Sequence, residues 1–145
     1  MESINEIESF IRDRGCIPNS NYFVAEKSWR PSLQLRGSGS HIWTIFSRKP
    51  HLLIFTEQEL IIYNYFEKKI ATKIISIPLS LIKNFSIEKL TPFKEYCLSF
   101  EYGRSYYFYI ESKDSFFNQM STEYNFSLNN FYSLLNNNFH DLLKK

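Results

Sequence analysis

Apolar positions recur with two different spacings along the chain. Between residues 41 and 111 they form short runs of β-branched and aromatic side chains, separated by turn sequences such as RKP, EKK and YGR. This pattern is typical of an antiparallel β-sheet. Seven short strands at even spacing predict a sandwich or a barrel, with a bulge near Asn84. We predict the strands over 41–47, 51–56, 59–66, 70–77, 81–89, 95–102 and 105–111.

Both ends of the chain have helical spacing instead. In SINEIESFIRDRG, Ile4, Ile7 and Ile11 fall on one face, and Gly15 is placed to end the helix. Residues 127–145 predict a second helix, and we expect its apolar stripe to cover the open end of the barrel. The stripe consists of Leu128, Phe131, Leu135, Phe139 and Leu142.

Residues 16–40 have little periodicity, and they contain two prolines and the sequence RGSGS. Within them, NYFVAE and SLQLR each have the composition of a short strand. We therefore expect two parts: a helix with an irregular extension over 1–40, packed on a main domain over 41–145.

Composition limits the classes of function. The chain has 145 residues, is 43% hydrophobic, and carries a net charge of +2, which is too small to predict strong attraction to nucleic acid. Cys16 and Cys97 form no CxxC motif, and the first residues do not have the pattern of a signal peptide, so we expect a cytoplasmic protein. No catalytic, nucleotide-binding or metal-binding motif is present. We predict that the chain is not an enzyme and holds no cofactor or metal.

Seven strands followed by one amphipathic helix is a recognisable order. From about His41 to Lys145 the chain resembles the pleckstrin-homology superfold in its bacterial and GRAM-like versions. The segment HLLIFTEQELIIYNYFEKKIATKIISIPLSLIKNFSIEK and the closing hairpin CLSFEYGRSYYFYIES carry the resemblance. It implies a mainly β (α+β) fold, a seven-stranded antiparallel barrel capped by a C-terminal α-helix, here with an N-terminal helical extension.

The resemblance also implies a way of binding a partner. Phosphotyrosine-binding relatives of this superfold take peptides by adding a strand beside the sheet and the C-terminal helix. The matching groove would lie between the 81–89 strand and the helix, so we expect non-catalytic recognition of a protein partner. The candidate partner-binding residues are Ile82, Asn84, Ser86, Phe131 and Asn138, with Trp29 as an aromatic anchor.

The turn in FSRKPH favours a different ligand. In phosphoinositide-binding members of the superfold, the loop between the first two strands is basic and grips headgroup phosphates. The alternative function is therefore peripheral binding of an anionic membrane surface. Its candidate residues are Arg48, Lys49, His51, Lys68 and Lys69. An ordinary solvated corner, with lysines that discourage aggregation at strand edges, stays open beside it.

The usage of Asn, Lys, Ile, Phe and Tyr is heavy, as in an AT-rich coding sequence. A low-GC bacterium or its phage would give such a composition. A small recognition domain from that source would suit an inhibitor or immunity-type protein, and a homo-oligomer also stays open.

Overall fold

Most of the chain forms strands of a single sheet. The computed structural model describes residues 4–28, 49–66, 69–90, 95–111 and 125–144. The helices are α1 (Ile4–Asp13) and α2 (Asn125–Asn136), and a helical turn (Asn138–Asp141) follows α2. Short 3₁₀ turns cover Leu79–Leu81 and Leu142–Lys144. The strands are β1 (Tyr22–Lys27), β2 (Lys49–Phe55), β3 (Glu59–Phe66), β4 (Lys69–Pro78), β5 (Lys83–Leu90), β6 (Glu95–Tyr102) and β7 (Arg104–Glu111).

The sheet has the order β4-β3-β2-β1-β7-β6-β5, and every ladder is antiparallel. This confirms the predicted fold class. Strands β2 to β7 begin and end within two residues of their predictions. The β5–β6 ladder shifts register between Lys83 and Ser86, and Asn84 has a φ of 54°, so the predicted bulge is present.

The first strand of the sheet is not the predicted one. Residues 41–47 lie outside the described residues, whereas β1 comes from the NYFVAE sequence and occupies the centre of the sheet, between β2 and β7. The sheet thus includes a strand from the first 40 residues. The predicted division at residue 41 falls within 29–48, which the structure does not describe, and it stays a prediction.

Inward-facing side chains from both halves of the sheet share one core. Phe23 of β1 and Phe55 of β2 belong to the same buried cluster as Phe100 of β6 and Phe108 of β7. The sheet must therefore curve back on itself. In the described residues no ladder joins β4 to β5, so the strands form an antiparallel sheet that is not closed into the predicted barrel.

Helix α1 covers the outer face of β1, β2 and β3. Ile7 and Ile11, which are four residues apart on the apolar face of the helix, have no exposed surface. The hydroxyl of Tyr22 in β1 donates a hydrogen bond to Glu8 of the helix. Gly15 ends the helix with a φ of 83°, and its N–H donates to the Arg12 carbonyl at 3.0 Å, as its position in the sequence predicts.

Helix α2 packs against β1 from the inner side and buries Leu128, Phe131 and Leu134 in the main core. Two buried polar side chains attach it to the strand. The Val24 N–H donates to Ser127 Oγ at 2.9 Å, and Asn130 Nδ2 donates to the Tyr22 carbonyl at 2.9 Å. The prediction that a C-terminal helix covers the core is confirmed, and these two hydrogen bonds fix its position along β1.

The predicted continuous helix over 127–145 is wrong beyond Asn136. Asn138, Phe139, His140 and Asp141 all have positive φ, from 49° to 68°, so the chain turns with left-handed geometry. Such a conformation costs roughly 1–2 kcal/mol per residue for ordinary side chains, although Asn and Asp tolerate it. The turn directs the fully buried Phe139 ring against Phe55, with 5.1 Å between ring centroids. Core packing therefore compensates for the unfavourable backbone.

Candidate functional site

Three cationic side chains meet at one end of the curved sheet, where β1 ends and β2 and β7 begin. Lys27 is paired with Lys49 in the β1–β2 ladder and with Phe108 in the β1–β7 ladder, and Arg104 is the first residue of β7. They surround a cavity of about 380 Å³, which we call the mouth pocket. It is lined by Lys27, Ser28, Lys49, His51, Ile62, Asn64, Ile75, Arg104, Tyr106 and Phe108.

The alternation of side chains along each strand explains this arrangement. Phe23 and Ala25 face the core, and Lys27 continues the same row two residues further on. In β7, Arg104 precedes the inward-facing Tyr106 and Phe108 in the same way. Each inward-facing row therefore has apolar side chains in its depth and a cation at its end.

The three cations repel one another across the pocket. Partial burial lowers the pKa of Lys27, and the charges of Arg104 and Lys49 lower it further. None of the three forms an ion pair with a carboxylate in the part of the chain that the structure describes. Bringing an anion into this pocket would relieve the repulsion, because it would supply the missing opposite charge.

His51 lies deeper and does not add to the positive charge. Its side chain is 4% exposed, and burial, the largest cause, lowers its pKa, so the ring is neutral at pH 7. Nδ1 lies 2.8 Å from the Lys49 carbonyl oxygen, which can only accept, so Nδ1 carries the proton and donates. The sequence indicates His51 as a candidate anion-binding residue. In the structure it lines the mouth pocket as a neutral ring.

The other residues predicted for anion binding are only partly described. Lys49 is exposed and lines the mouth pocket. Lys69 begins β4, next to the end of β3, at the same end of the sheet. Arg48 and Lys68 lie outside the described residues. Lys27 and Arg104 are the cations that the sequence analysis missed; the signal for Lys27 was its position two residues after Ala25 in NYFVAEK.

The predicted peptide groove corresponds to a cavity of about 320 Å³, lined by Ile82, Lys83, Asn84, Phe85 and Leu142. It lies beside β5, which is an edge strand of the sheet in the described residues. Asn84 Nδ2 donates to Glu101 Oε2 at 2.6 Å.

The remaining candidates for partner binding have different surroundings. Ser86 is exposed, with its hydroxyl 2.9 Å from that of Ser99 on β6. Asn138 is half-buried in the left-handed turn. Phe131 has no exposed surface, because its ring packs against other aromatic rings of the core, so it does not line a groove. Trp29 lies outside the described residues.

A third cavity, of about 560 Å³, lies between the end of α1, the β2–β3 turn and the end of α2. Cys16 and His140 both line it. Burial raises the pKa of the Cys16 thiol, and the negative charge of Glu59 raises it further. This environment stabilises the thiol over the thiolate, which is the reverse of what a nucleophilic cysteine requires.

No protein-family model matches the chain, and no curated protein matches it at a significant level. Among the helices that the structure describes, none is long and apolar enough to cross a membrane. Within the same ranges, no three His, Cys, Asp or Glu side chains are grouped so as to hold a metal ion.

Proposed function

We propose that this protein is a non-catalytic recognition domain that binds an anionic group, most simply a phosphate, in the mouth pocket. One observation carries the proposal: Lys27, Lys49 and Arg104 line the same concave pocket, and none has a carboxylate partner in the described residues. Lysine and arginine donate charge-assisted hydrogen bonds to phosphate oxygens, and these are stronger than hydrogen bonds between neutral groups.

The fold is compatible with this function. One sheet of seven antiparallel strands, with a helix packed on the inner face, is compatible with the pleckstrin-homology superfold. The resemblance, as read from the sequence, places a phosphate-binding loop at the turn in FSRKPH, and Lys49 of that turn lines the mouth pocket. The alternative predicted from the sequence, an anionic membrane surface, is one source of such a phosphate, and a soluble compound is another.

Binding of inorganic phosphate, inositol phosphates and anionic vesicles tests the proposal. We expect saturable binding of at least one of these anions, weakened by salt because the contacts are electrostatic. The double variant Lys27→Gln/Arg104→Gln should bind about tenfold more weakly, since each hydrogen bond to a charged group contributes roughly 1.5–3 kcal/mol before solvent screening. Lys89→Gln, which removes one positive charge at the far end of β5, is the control for the loss of charge away from the pocket.

The outcomes separate the sources of the anion. Binding to vesicles but not to free phosphates would assign the ligand to a membrane surface, and the reverse would assign it to a soluble compound. If no anion binds, or if Lys89→Gln weakens binding as much as the double variant, the mouth pocket is not an anion site and the proposal is wrong.

The second candidate is the protein partner that the sequence favours. The specific observation behind it is the outer edge of β5, which pairs with β6 on one side only in the described residues and borders the cavity at Ile82 and Leu142. A partner segment that adds as a strand would form main-chain hydrogen bonds along this edge.

Hydrogen exchange distinguishes this mode of binding. A protein that copurifies stoichiometrically with the chain from its native host should slow exchange of the amides within 83–90. If it instead slows exchange only at other residues, strand addition at β5 is excluded for that partner.

A further inference from the structure

The walls of the mouth pocket change character with depth. At the rim, Lys49 and Arg104 are exposed and Lys27 is half-buried. Further in, Tyr106 is 8% exposed, and Ile62 and Phe108 are 1% and 0% exposed. Positive charge is therefore confined to the opening, and the interior is apolar.

The polar groups of the interior do not change this division. His51 is neutral, its ring packs edge-on against Phe108 with 5.9 Å between centroids, and its Nδ1–H already donates to the Lys49 carbonyl. Asn64 and Ile75 are half-buried on neighbouring strands. A highly hydroxylated ligand that filled the pocket would find few hydrogen-bond partners in its depth, and unpaired polar groups are costly to bury.

We infer that the ligand is a small amphipathic anion, a phosphate monoester with a compact apolar body, preferably aromatic, which enters with its apolar end first. The apolar body would contact Ile75 and Tyr106, and the phosphate would stay at the rim between the three cations. The volume of about 380 Å³ lies within the range of small-molecule sites. This inference rests on the proposed function and adds the class of the ligand.

The positions of the charges at the rim and of the apolar surface inside the pocket also distinguish a dissolved ligand from a membrane lipid. A lipid in a bilayer keeps its apolar tails inside the membrane and presents its charged headgroup outwards, so the headgroup would have to occupy the apolar depth of the pocket. A free amphiphile meets no such conflict. The geometry therefore favours a ligand that is dissolved as single molecules.

Two phosphate monoesters with different bodies provide the test. Phenyl phosphate and glycerol 1-phosphate carry the same anionic group, so any difference between their affinities reports on the body alone. We expect phenyl phosphate to bind about tenfold more tightly, because its ring leaves water for an apolar surface. Vesicles that contain an anionic lipid form a third arm, and we expect them to bind more weakly than phenyl phosphate does.

Variants and methyl spectra locate the body within the pocket. Ile75→Thr keeps a β-branched side chain in the strand but makes the wall polar, and it should reduce the preference for phenyl phosphate to a few-fold at most. Lys49→Gln at the rim should weaken both monoesters equally. In the wild-type protein, phenyl phosphate should shift the NMR signals of the Ile62 and Ile75 methyl groups through its ring current, and glycerol 1-phosphate should not.

The anion site and the class of its ligand can be refuted separately. If neither monoester, inorganic phosphate nor vesicles bind, the proposed function is wrong as well. If phenyl phosphate and glycerol 1-phosphate bind equally, or if the isoleucine methyl signals do not move, the anion site stands but the amphipathic ligand is excluded. Tighter binding to vesicles than to phenyl phosphate would likewise overturn the inference.

Discussion

Exchanging His140 for glycine and for alanine would measure the strain of the left-handed turn. His140 has φ 55° and ψ 42°, close to the ideal left-handed conformation. Alanine keeps the Cβ that makes this conformation unfavourable, by about 1–2 kcal/mol, and glycine removes it. Against this, glycine loses about 0.4–1 kcal/mol more conformational entropy on folding. We therefore expect His140→Gly to be more stable than His140→Ala by about 0.5–1 kcal/mol.

Both variants lose the same side-chain contact, the approach of His140 Nε2 to the Phe55 carbonyl at 3.3 Å, so their difference isolates the backbone. The matched control is Ser133, which is exposed in the regular part of α2. There the sign should reverse, with Ser133→Gly less stable than Ser133→Ala by about 0.8–1.0 kcal/mol.

Urea denaturation measures both pairs. For a domain of this size, a difference of 0.5–1 kcal/mol moves the midpoint by roughly a few tenths of a molar at unchanged slope. If alanine is the more stable substitution at both sites, the residues after α2 continue as a right-handed helix. A left-handed turn over Asn138–Asp141 would then be excluded.

Three further predictions concern the helix contact, the mouth pocket and the free thiols. Ser127→Ala should lower the free energy of unfolding by about 1–3 kcal/mol, because the buried Val24 N–H loses its acceptor; Ser133→Ala, in the same denaturation assay, should change it by less than about 0.5 kcal/mol. His51 has a pKa below its ordinary 6.5 in the folded state, so the unfolded chain binds the proton more readily. The contribution of the neutral His51 ring to the free energy of unfolding is full above pH 6.5 and declines as the pH falls through the folded pKa. Chemical denaturation at pH 7 and pH 5 should therefore show a smaller loss of stability for His51→Gln than for the wild-type protein. An equal loss would contradict the burial of a neutral ring. Burial and the charge of Glu59 raise the pKa of the Cys16 thiol, so iodoacetamide at pH 8 should alkylate Cys16 more slowly in the folded protein than in urea. Glu59→Gln should accelerate alkylation of the folded protein. Equal rates in the folded and unfolded states would contradict this environment.

The fold was predictable where local periodicity and core packing agree. The runs that became β2 to β7 alternate or are wholly apolar, and turn residues separate them, so each was recognisable without its neighbours. NYFVAEK was harder to recognise, because four consecutive buried residues, Tyr22 to Ala25, hide the alternation. A strand buried on both faces lacks period two, and only its place between β2 and β7 explains its sequence.

The candidate site was predictable only in part, because some of its residues come together only through strand pairing that the sequence does not show. Lys49 and His51 were found because they adjoin an evident turn. Lys27 and Arg104 are 77 positions apart in the chain and meet only because β1 pairs with β7. The end of α2 had a visible signal in the three asparagines Asn136 to Asn138, since asparagine tolerates the left-handed region, but the apolar stripe that continues past them outweighed it.

The central place of β1 has a consequence for how the chain reaches its native state. In the described residues, β1 and β7 join the two halves of the sheet through the pairs Glu26–Tyr109 and Lys27–Phe108, and the Ser28 N–H donates to the Tyr107 carbonyl at 3.3 Å. The partners in these contacts are about eighty positions apart in the chain. During synthesis β1 leaves the ribosome long before β7, so one edge of it must wait unpaired while the intervening hairpins form. Contacts this distant in sequence close slowly. We expect the joining of these two strands to be the last and slowest event of folding, and the nascent chain to be most vulnerable to aggregation until it occurs.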